Sequence, residues 1–315
     1  MRCLVTGASG HLGSYLTRRL LDCGEEVSVI VRPESDLWRL EGILDHVRVI
    51  RVDLRDIDQV SDEIRSQSPE TVFHCAWTGV TSDTRNRPEH LIENITSGLR
   101  LFQIAQLAGC RCWVGIGSQA EYGRQSEILK EDMIANPETA YGVAKLCLGK
   151  LLQTLCEQTD VRYVWLRLLA TYGPKDDLKH LVPSVIEKLL ERSRPSLTAG
   201  EQKWDYLYIE DAAEAIHRVA GAPDARGIYN LASGEAHSVR EIVSRLRDMI
   251  DPSLPVGFGD IPYGPGPLFN LQADVTRLRD ATGWAPRTSL ESGLQKTLEW
   301  HKNTATRHEI FRRHG

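Results

Sequence analysis

The sequence has no surplus of positive charge: 38 Lys and Arg stand against 43 Asp and Glu in 315 residues, a formal net charge of −5, and no run of basic residues occurs. Nucleic acid and anionic membrane surfaces need clustered cations to neutralise phosphates, so neither is an expected partner. Long apolar runs are also lacking. No stretch approaches the ~20 residues of a membrane helix, and the opening Met-Arg-Cys-Leu-Val is too short for a secretory signal. Cysteine is sparse, with seven scattered residues, and the closest pair, Cys110 and Cys112, lacks the spacing of a zinc knuckle. An odd, dispersed set predicts free thiols in a reducing compartment, a cytoplasmic location and no metal site. There is no internal repeat or low-complexity segment.

What is present is a strand and helix rhythm. Residues 2–6 read as a short buried strand, followed by Thr6-Gly7-Ala8-Ser9-Gly10-His11-Leu12-Gly13 and a helix with Leu12, Leu16 and Leu20 on one side. Glycines between a strand and a helix allow a tight turn and a close approach of backbone amides to a pyrophosphate, which the helix N-terminus favours electrostatically. A dinucleotide site is therefore expected at the start of the chain. The second strand, 27–31, ends at Arg32, where dinucleotide folds place the residue that meets the adenosine ribose. A basic side chain there suits a 2′-phosphate, so the expected cofactor is NADP(H), with NAD(H) less favoured. A third strand, 47–52, ends in Asp53 and Leu54, placed to border an adenine. A fourth, 71–77, brings Ala76 and Trp77 to the cofactor end of the sheet.

Residues 89–109 carry Leu91, Ile95, Leu99, Phe102 and Ala105 at helical spacing, with Asn94 either a satisfied core amide or a site residue. The fifth strand, 112–117, delivers Ser118 to the C-terminal sheet edge, where open α/β sheets bind ligands. A loop then leads to a long helix opening with Tyr141-Gly-Val-Ala-Lys145. A tyrosine and a lysine four apart share one helix face, separated by ~6 Å. The expectation is that the ammonium lowers the phenol's pKa from its usual ~10, letting Tyr141 exchange protons near neutrality.

The sixth strand, 161–169, is the last of the regular rhythm. A helix over 181–190 and two more over 239–250 and 289–302 flank a stretch, 252–270, so rich in proline and glycine that it reads as a long surface loop. The fold class expected is α/β, a Rossmann-type doubly wound parallel sheet with a smaller, discontinuous C-terminal substrate-binding part. Its division would be 1–174, with 206–235 returning, for the dinucleotide, and 175–205 with 236–315 for the substrate.

Thr-Gly-x-x-Gly-x-x-Gly, the serine of the fifth strand and Tyr-x-x-x-Lys together resemble the extended short-chain dehydrogenase/reductase superfamily, in its sugar-nucleotide epimerase/dehydratase branch. The likeness continues through Arg167-x-x-Ala-Thr-Tyr-Gly-Pro174, Trp204-Asp205-Tyr-Leu-Tyr-Ile-Glu-Asp211, Gly227-Ile-Tyr-Asn230, Ser233-Gly234, Asp274 and Gly283-Trp284-x-Pro286. The resemblance implies that Tyr141 is the acid/base, that Lys145 binds nicotinamide ribose and tunes the tyrosine, and that Ser118 orients the reacting oxygen. It gives Gly7, Gly10 and Gly13 to the pyrophosphate and Asp53 and Leu54 to the adenine, with Ser9, His11, Leu12 and Ala76 also along the dinucleotide. Trp77, Gln119, Thr171 and Trp204 are the candidate substrate contacts. A nucleotide sugar is the implied substrate and a homodimer the implied assembly.

Departures from the pattern narrow the reaction. The branch's 4,6-dehydratases carry Thr-Asp-Glu where this chain has Ser118-Gln119-Ala120, so the acid and base that expel water are missing. Many epimerases keep an arginine at the position of Trp204 and an asparagine at that of Ala170. The Lys203-Trp-Asp-Tyr and Gly-Ser-Gln-Ala-Glu-Tyr-Gly segments are similar to 4-keto-6-deoxysugar reductases. The expected activity is therefore NADPH-dependent reduction of a nucleoside-diphosphate 4-keto-6-deoxysugar. The alternatives are an NAD-dependent sugar-nucleotide 4-epimerase and a non-catalytic nucleotide sensor.

Overall fold

The structure, a computed structural model, describes residues 1–80, 84–264 and 269–303. Strands β1 (Arg2–Thr6), β2 (Glu26–Val31), β3 (Arg48–Arg51), β4 (Thr71–His74), β5 (Cys112–Ser118) and β6 (Arg162–Leu168) pair in the order β6-β5-β4-β1-β2-β3, all parallel. The reversal of direction at β1 creates a crevice at the C-terminal strand ends, the usual ligand position of a doubly wound sheet. β4 ends at His74, three residues short of the expected 77. Beyond it the Cys75 N–H still reaches the Thr6 carbonyl and the Ala76 N–H the Thr6 hydroxyl, and the chain then turns away over the crevice.

Both faces of the sheet are covered, so its strands are apolar on both sides. On one face Val5, Val29, Phe73 and Val114 meet Leu16 and Leu20 of α1 (His11–Asp22). On the other, Leu4, Ile30, Val72 and Trp113 meet Leu101, Phe102 and Ala105 of α3 (Pro88–Leu107), together with Leu148 and Leu152 of α4 (Ala140–Glu157). The short α2 (Ser61–Gln67) buries Ile64 in the same layer.

After β6 the chain forms β7 (Ala170–Tyr172), α5 (Leu181–Leu190), β8 (Ser196–Leu197), β9 (Lys203–Tyr208) and α6 (Ile209–Gly221). α6 packs beside α1, and β10 (Gly227–Leu231) adds a seventh parallel strand next to β6. The remaining elements are β11 (Ala236–Ser238), α7 (Val239–Ile250), β12 (Gly257–Phe258), β13 (Asn270–Leu271), α8 (Thr276–Thr282) and α9 (Leu290–Lys302). β9 is the centre of a second, smaller sheet with β7, β11 and β13. A separate core joins Val185 and Ile186 of α5, Ile242 and Leu246 of α7, and Leu294 and Leu298 of α9. The stretch expected as one long loop contains β12, paired with β8, and the start of β13; its residues 265–268 lie outside the described residues.

Candidate active site

The glycine turn is shaped by two close approaches. Gly7 has φ 71°, and a Cβ there would come within 2.8 Å of the Ala76 backbone nitrogen. A Cβ on Gly13 would lie 2.1 Å from the Gly7 carbonyl oxygen, so any side chain would force the first turn of α1 away from the strand. The N-terminus of α1 therefore opens directly on a cavity of about 520 Å³.

That cavity brings together every residue the sequence assigned to a dinucleotide except Tyr141 and Lys145. Gly7, Ser9, Gly10, His11, Leu12 and Gly13 line one wall, Arg32 the end of β2, Asp53 and Leu54 the end of β3, and Ala76 and Trp77 the end of β4. Asp53 caps the following 3-10 turn by accepting the Arg55 N–H, and the Arg55 guanidinium holds its carboxyl below the usual carboxylate range. Arg32 is exposed and pairs loosely with Glu34 at 3.4 Å.

Among the wall residues missed from sequence are Ser35, Arg39, Asp176 and His180. The Arg39 guanidinium lies 4.4 Å from the Trp38 ring centroid, and its Nε donates to the Lys175 carbonyl at 2.9 Å. In return the Lys175 ammonium donates to the Arg39 carbonyl at 3.3 Å. Nearby, Asp176 accepts from His180 Nδ1 at 2.8 Å and faces His11 Nδ1 at 3.3 Å. No spacing rule links residues 11, 39, 175 and 180, which meet only through the turn after β7.

Beyond the Trp77 end of the cavity, Ser118, Tyr141 and Lys145 converge. Thr139 caps α4 through the Gly142 N–H at 3.0 Å, and Asn86 accepts the Tyr141 N–H at 3.2 Å, fixing the start of the helix. Burial pushes the Tyr141 phenol up from its ordinary pKa of 10.0; a hydrogen bond from Ser118 opposes this, Glu121 adds to it and Arg85 opposes it. The expected lowering by Lys145 is therefore corrected. The Lys145 ammonium turns away, donating to the Ile116 carbonyl at 2.7 Å and lying 3.8 Å from the centroid of the Trp77 indole. Its burial brings it down to about 7. Trp77 also meets the Tyr141 ring edge-on at 5.8 Å, and its buried indole N–H has no hydrogen-bond partner among the described residues. Beneath them His74 bonds Thr6 at 2.9 Å, and burial pushes it down to about 3, so it is neutral.

The other candidate substrate contacts sit outside the cavity. Gln119 is half-buried next to Ser118, and Thr171 is half-buried in β7. Trp204 stacks on Tyr206 at 6.3 Å and packs against the cluster of Tyr122, Leu129, Leu271 and Ala273. Asn94 resolves as a structural amide, bonding the Thr78 N–H, the Thr78 carbonyl and the His90 carbonyl. Asp205 likewise ties β9 to the turn after β10, accepting from the Ser233 N–H at 2.7 Å, its hydroxyl at 2.6 Å and the Gly234 N–H at 2.9 Å.

Residues 3–232 match the NAD dependent epimerase/dehydratase family. The chain belongs to that family. It is an enzyme chain of the extended short-chain dehydrogenase/reductase type, as its glycine turn and Tyr-x-x-x-Lys motif implied. Among similar proteins, a UDP-glucose 4-epimerase of Mycolicibacterium smegmatis is 29% identical over 96% of this chain and 99% of its own length. A dTDP-glucose 4,6-dehydratase of Salmonella typhimurium is 22% identical over 96% of this chain and 92% of its own. The crystal structure of a Thermus thermophilus UDP-glucose 4-epimerase with NAD superposes with a TM-score of 0.86 at 27% identity, covering 96% of this chain and all (100%) of that one. Among the described residues no helix is long and apolar enough to cross a membrane, and no group of His, Cys, Asp and Glu has the arrangement of a metal site.

Proposed function

We propose that this protein interconverts the C4 epimers of a UDP-hexose, with a dinucleotide retained through each turnover. The observation that carries the reading is the full-length similarity to UDP-glucose 4-epimerases joined to an intact Ser118, Tyr141 and Lys145 set beyond the Trp77 end of the cavity. Gln119 and Ala120 follow Ser118 where a dehydratase needs an acid and a base, so elimination of water has no proton carrier there. The expected ketoreductase thus gives way to the alternative that the relatives favour.

A dinucleotide fits the cavity because the packing of Gly7 on Ala76 and of Gly13 on Gly7 brings the N-terminus of α1 to the cavity wall, where backbone amides can meet a pyrophosphate. When bound, it supplies the acceptance and return of hydride at C4. Around it Tyr141 would take the C4 hydroxyl proton and later give it back, Ser118 would donate a hydrogen bond to the same oxygen, and Lys145 would hold the ribose once its ammonium leaves the Ile116 carbonyl. Arg32, Ser35 and Arg39 edge the adenosine end and support a second reading, a reductase using NADP(H), because two guanidiniums suit a 2′-phosphate. The family name and the Thermus thermophilus structure favour NAD.

Incubation with UDP-glucose should yield UDP-galactose with no net change in dinucleotide absorbance. Consumption of one NADPH per product with a 4-keto-6-deoxyhexose nucleotide, and no epimer from UDP-glucose, would replace the epimerase by the reductase.

A further inference from the structure

Behind Ser118 lies a charged pair that the roles above do not use. Glu121 and Arg167 are 1% and 2% exposed, and the Arg167 Nε donates to Glu121 Oε2 at 2.8 Å. The other carboxylate oxygen, Oε1, accepts the Ser118 N–H at 2.8 Å and the Trp165 indole N–H at 2.9 Å. Within the same turn the Ala120 N–H donates to the Ser118 hydroxyl oxygen at 3.2 Å. A hydroxyl has one proton and two lone pairs. With a backbone N–H already aimed at that oxygen and the serine's own N–H held by Glu121, the proton of Ser118 is left for an acceptor on the open side, where Ser118 interacts with the Tyr141 phenol.

We propose that Glu121 is a positioning residue: through Oε1 it fixes the Ser118 backbone so that the serine hydroxyl turns its one proton outward, to Tyr141 in the free protein and to the oxygen on which Tyr141 works when substrate is bound. The proposal rests on the reading of Ser118 and Tyr141 as the reacting groups. Its chemistry is specific to the acceptor oxygen rather than to the charge. The negative charge is matched by Arg167, whose guanidinium also covers the Tyr122 ring at 4.3 Å, so the two charges offset each other and the asymmetry left at Ser118 is one of hydrogen-bond direction. A merely structural pair would hold β5 to β6 without regard to which atom faces Ser118.

Removing Glu121 alone would strand a buried guanidinium and could unfold the chain. The test therefore compares two double variants of equal charge, E121Q/R167M and E121V/R167M, the first keeping an acceptor oxygen for the Ser118 N–H and the second having none. Both are checked for cooperative thermal unfolding and assayed with UDP-glucose. E121Q/R167M should keep kcat within about threefold of wild type, and E121V/R167M should lose about tenfold or more with KM within about twofold, the scale of one hydrogen bond. The loss should vanish when both pairs are remade on Ser118→Ala, since an effect acting through one hydroxyl disappears with it.

Equal kcat in the two pairs, or an undiminished loss on the Ser118→Ala background, overturns the proposal. If wild type itself leaves UDP-glucose unchanged, the substrate reading fails separately, and the proposal is then read from the phenol. An ultraviolet difference titration against Tyr141→Phe should show Tyr141 ionising at higher pH in E121V/R167M than in E121Q/R167M, with Arg85 and Lys145 common to both. Coincident titrations overturn it.

Discussion

The ammonium of Lys145 lies 3.8 Å beneath the centroid of the Trp77 indole while donating to the carbonyl of Ile116. A cation held between a ring face and one carbonyl is stabilised on two sides and still poorly hydrated, which explains why its pKa falls to about 7 rather than staying at 10.5. The four-residue spacing from Tyr141 leads instead to a lysine whose protonation is sensitive to its surroundings near neutral pH.

That sensitivity fixes the sign of a stability effect. Below pH 7 both the native and the unfolded chain carry the Lys145 proton and burial opposes folding in full; between about 7 and 10.5 the unfolded chain binds more protons, so stability rises with pH. The unfolding free energy of wild type relative to Lys145→Met, from denaturant titrations at pH 7 and pH 9, should increase across that window. A flat difference would remove Lys145 as the cause.

Tyr141→Phe takes away a proton carrier and no charge. Turnover should fall by ~10²–10⁴, the usual contribution of general acid–base catalysis, while dinucleotide affinity measured by calorimetry stays close to wild type. Retention of more than about a tenth of kcat would exclude Tyr141 as that carrier.

Gly13→Ala puts a methyl against the Gly7 carbonyl, where the space is 2.1 Å. The first turn of α1 must move, and dinucleotide affinity should fall at least about tenfold, equivalent to 1.4 kcal/mol, with the Tyr141 region undisturbed. Unchanged binding would show that the pyrophosphate is held elsewhere.

Arg32→Asp and Arg39→Ala address the adenosine end. If the two guanidiniums meet a 2′-phosphate, each change should weaken NADP(H) at least about tenfold and leave NAD(H) within about threefold. Equal effects on both dinucleotides would mean that neither residue reads the phosphate.

Large apolar side chains stay exposed on the two helices that cover one face of the sheet: Ile92 and Leu107 on α3, Val143 and Leu151 on α4. A two-fold pairing of these helices would bury them, and light scattering should then give twice the 35.4 kDa chain mass, falling to the single mass in Ile92→Asp/Leu151→Asp. Monomeric wild type at micromolar concentration would count against the pairing.

The sheet was legible from its residues because parallel strands buried on both faces leave mostly apolar runs such as Cys3-Leu4-Val5 and Val27-Ser-Val-Ile-Val31, each closed by a turn. The glycine turn and α4 were legible for a related reason: their chemistry is local, written within eight consecutive residues in one case and five in the other. Arg39 and Asp176 reach the cavity through contacts more than a hundred positions apart, which no spacing reveals. Trp204 was named from a family position; it sits on β9 against Tyr206 and Leu271, away from the residues that line the cavity.

Arg39 and Lys175 each grip the other's backbone, one from the segment after β2 and one from the turn leading to α5. Lys175 does so from a left-handed conformation, φ 64°, which for a residue with a side chain is unfavourable by roughly 1–2 kcal/mol. The crossing is a reciprocal buckle: the two bonds that close it also hold Lys175 in that conformation. Asp176, the next residue, accepts from His180 at the start of α5 and faces His11 at the start of α1, so the same buckle fixes where that carboxylate stands between the two helices.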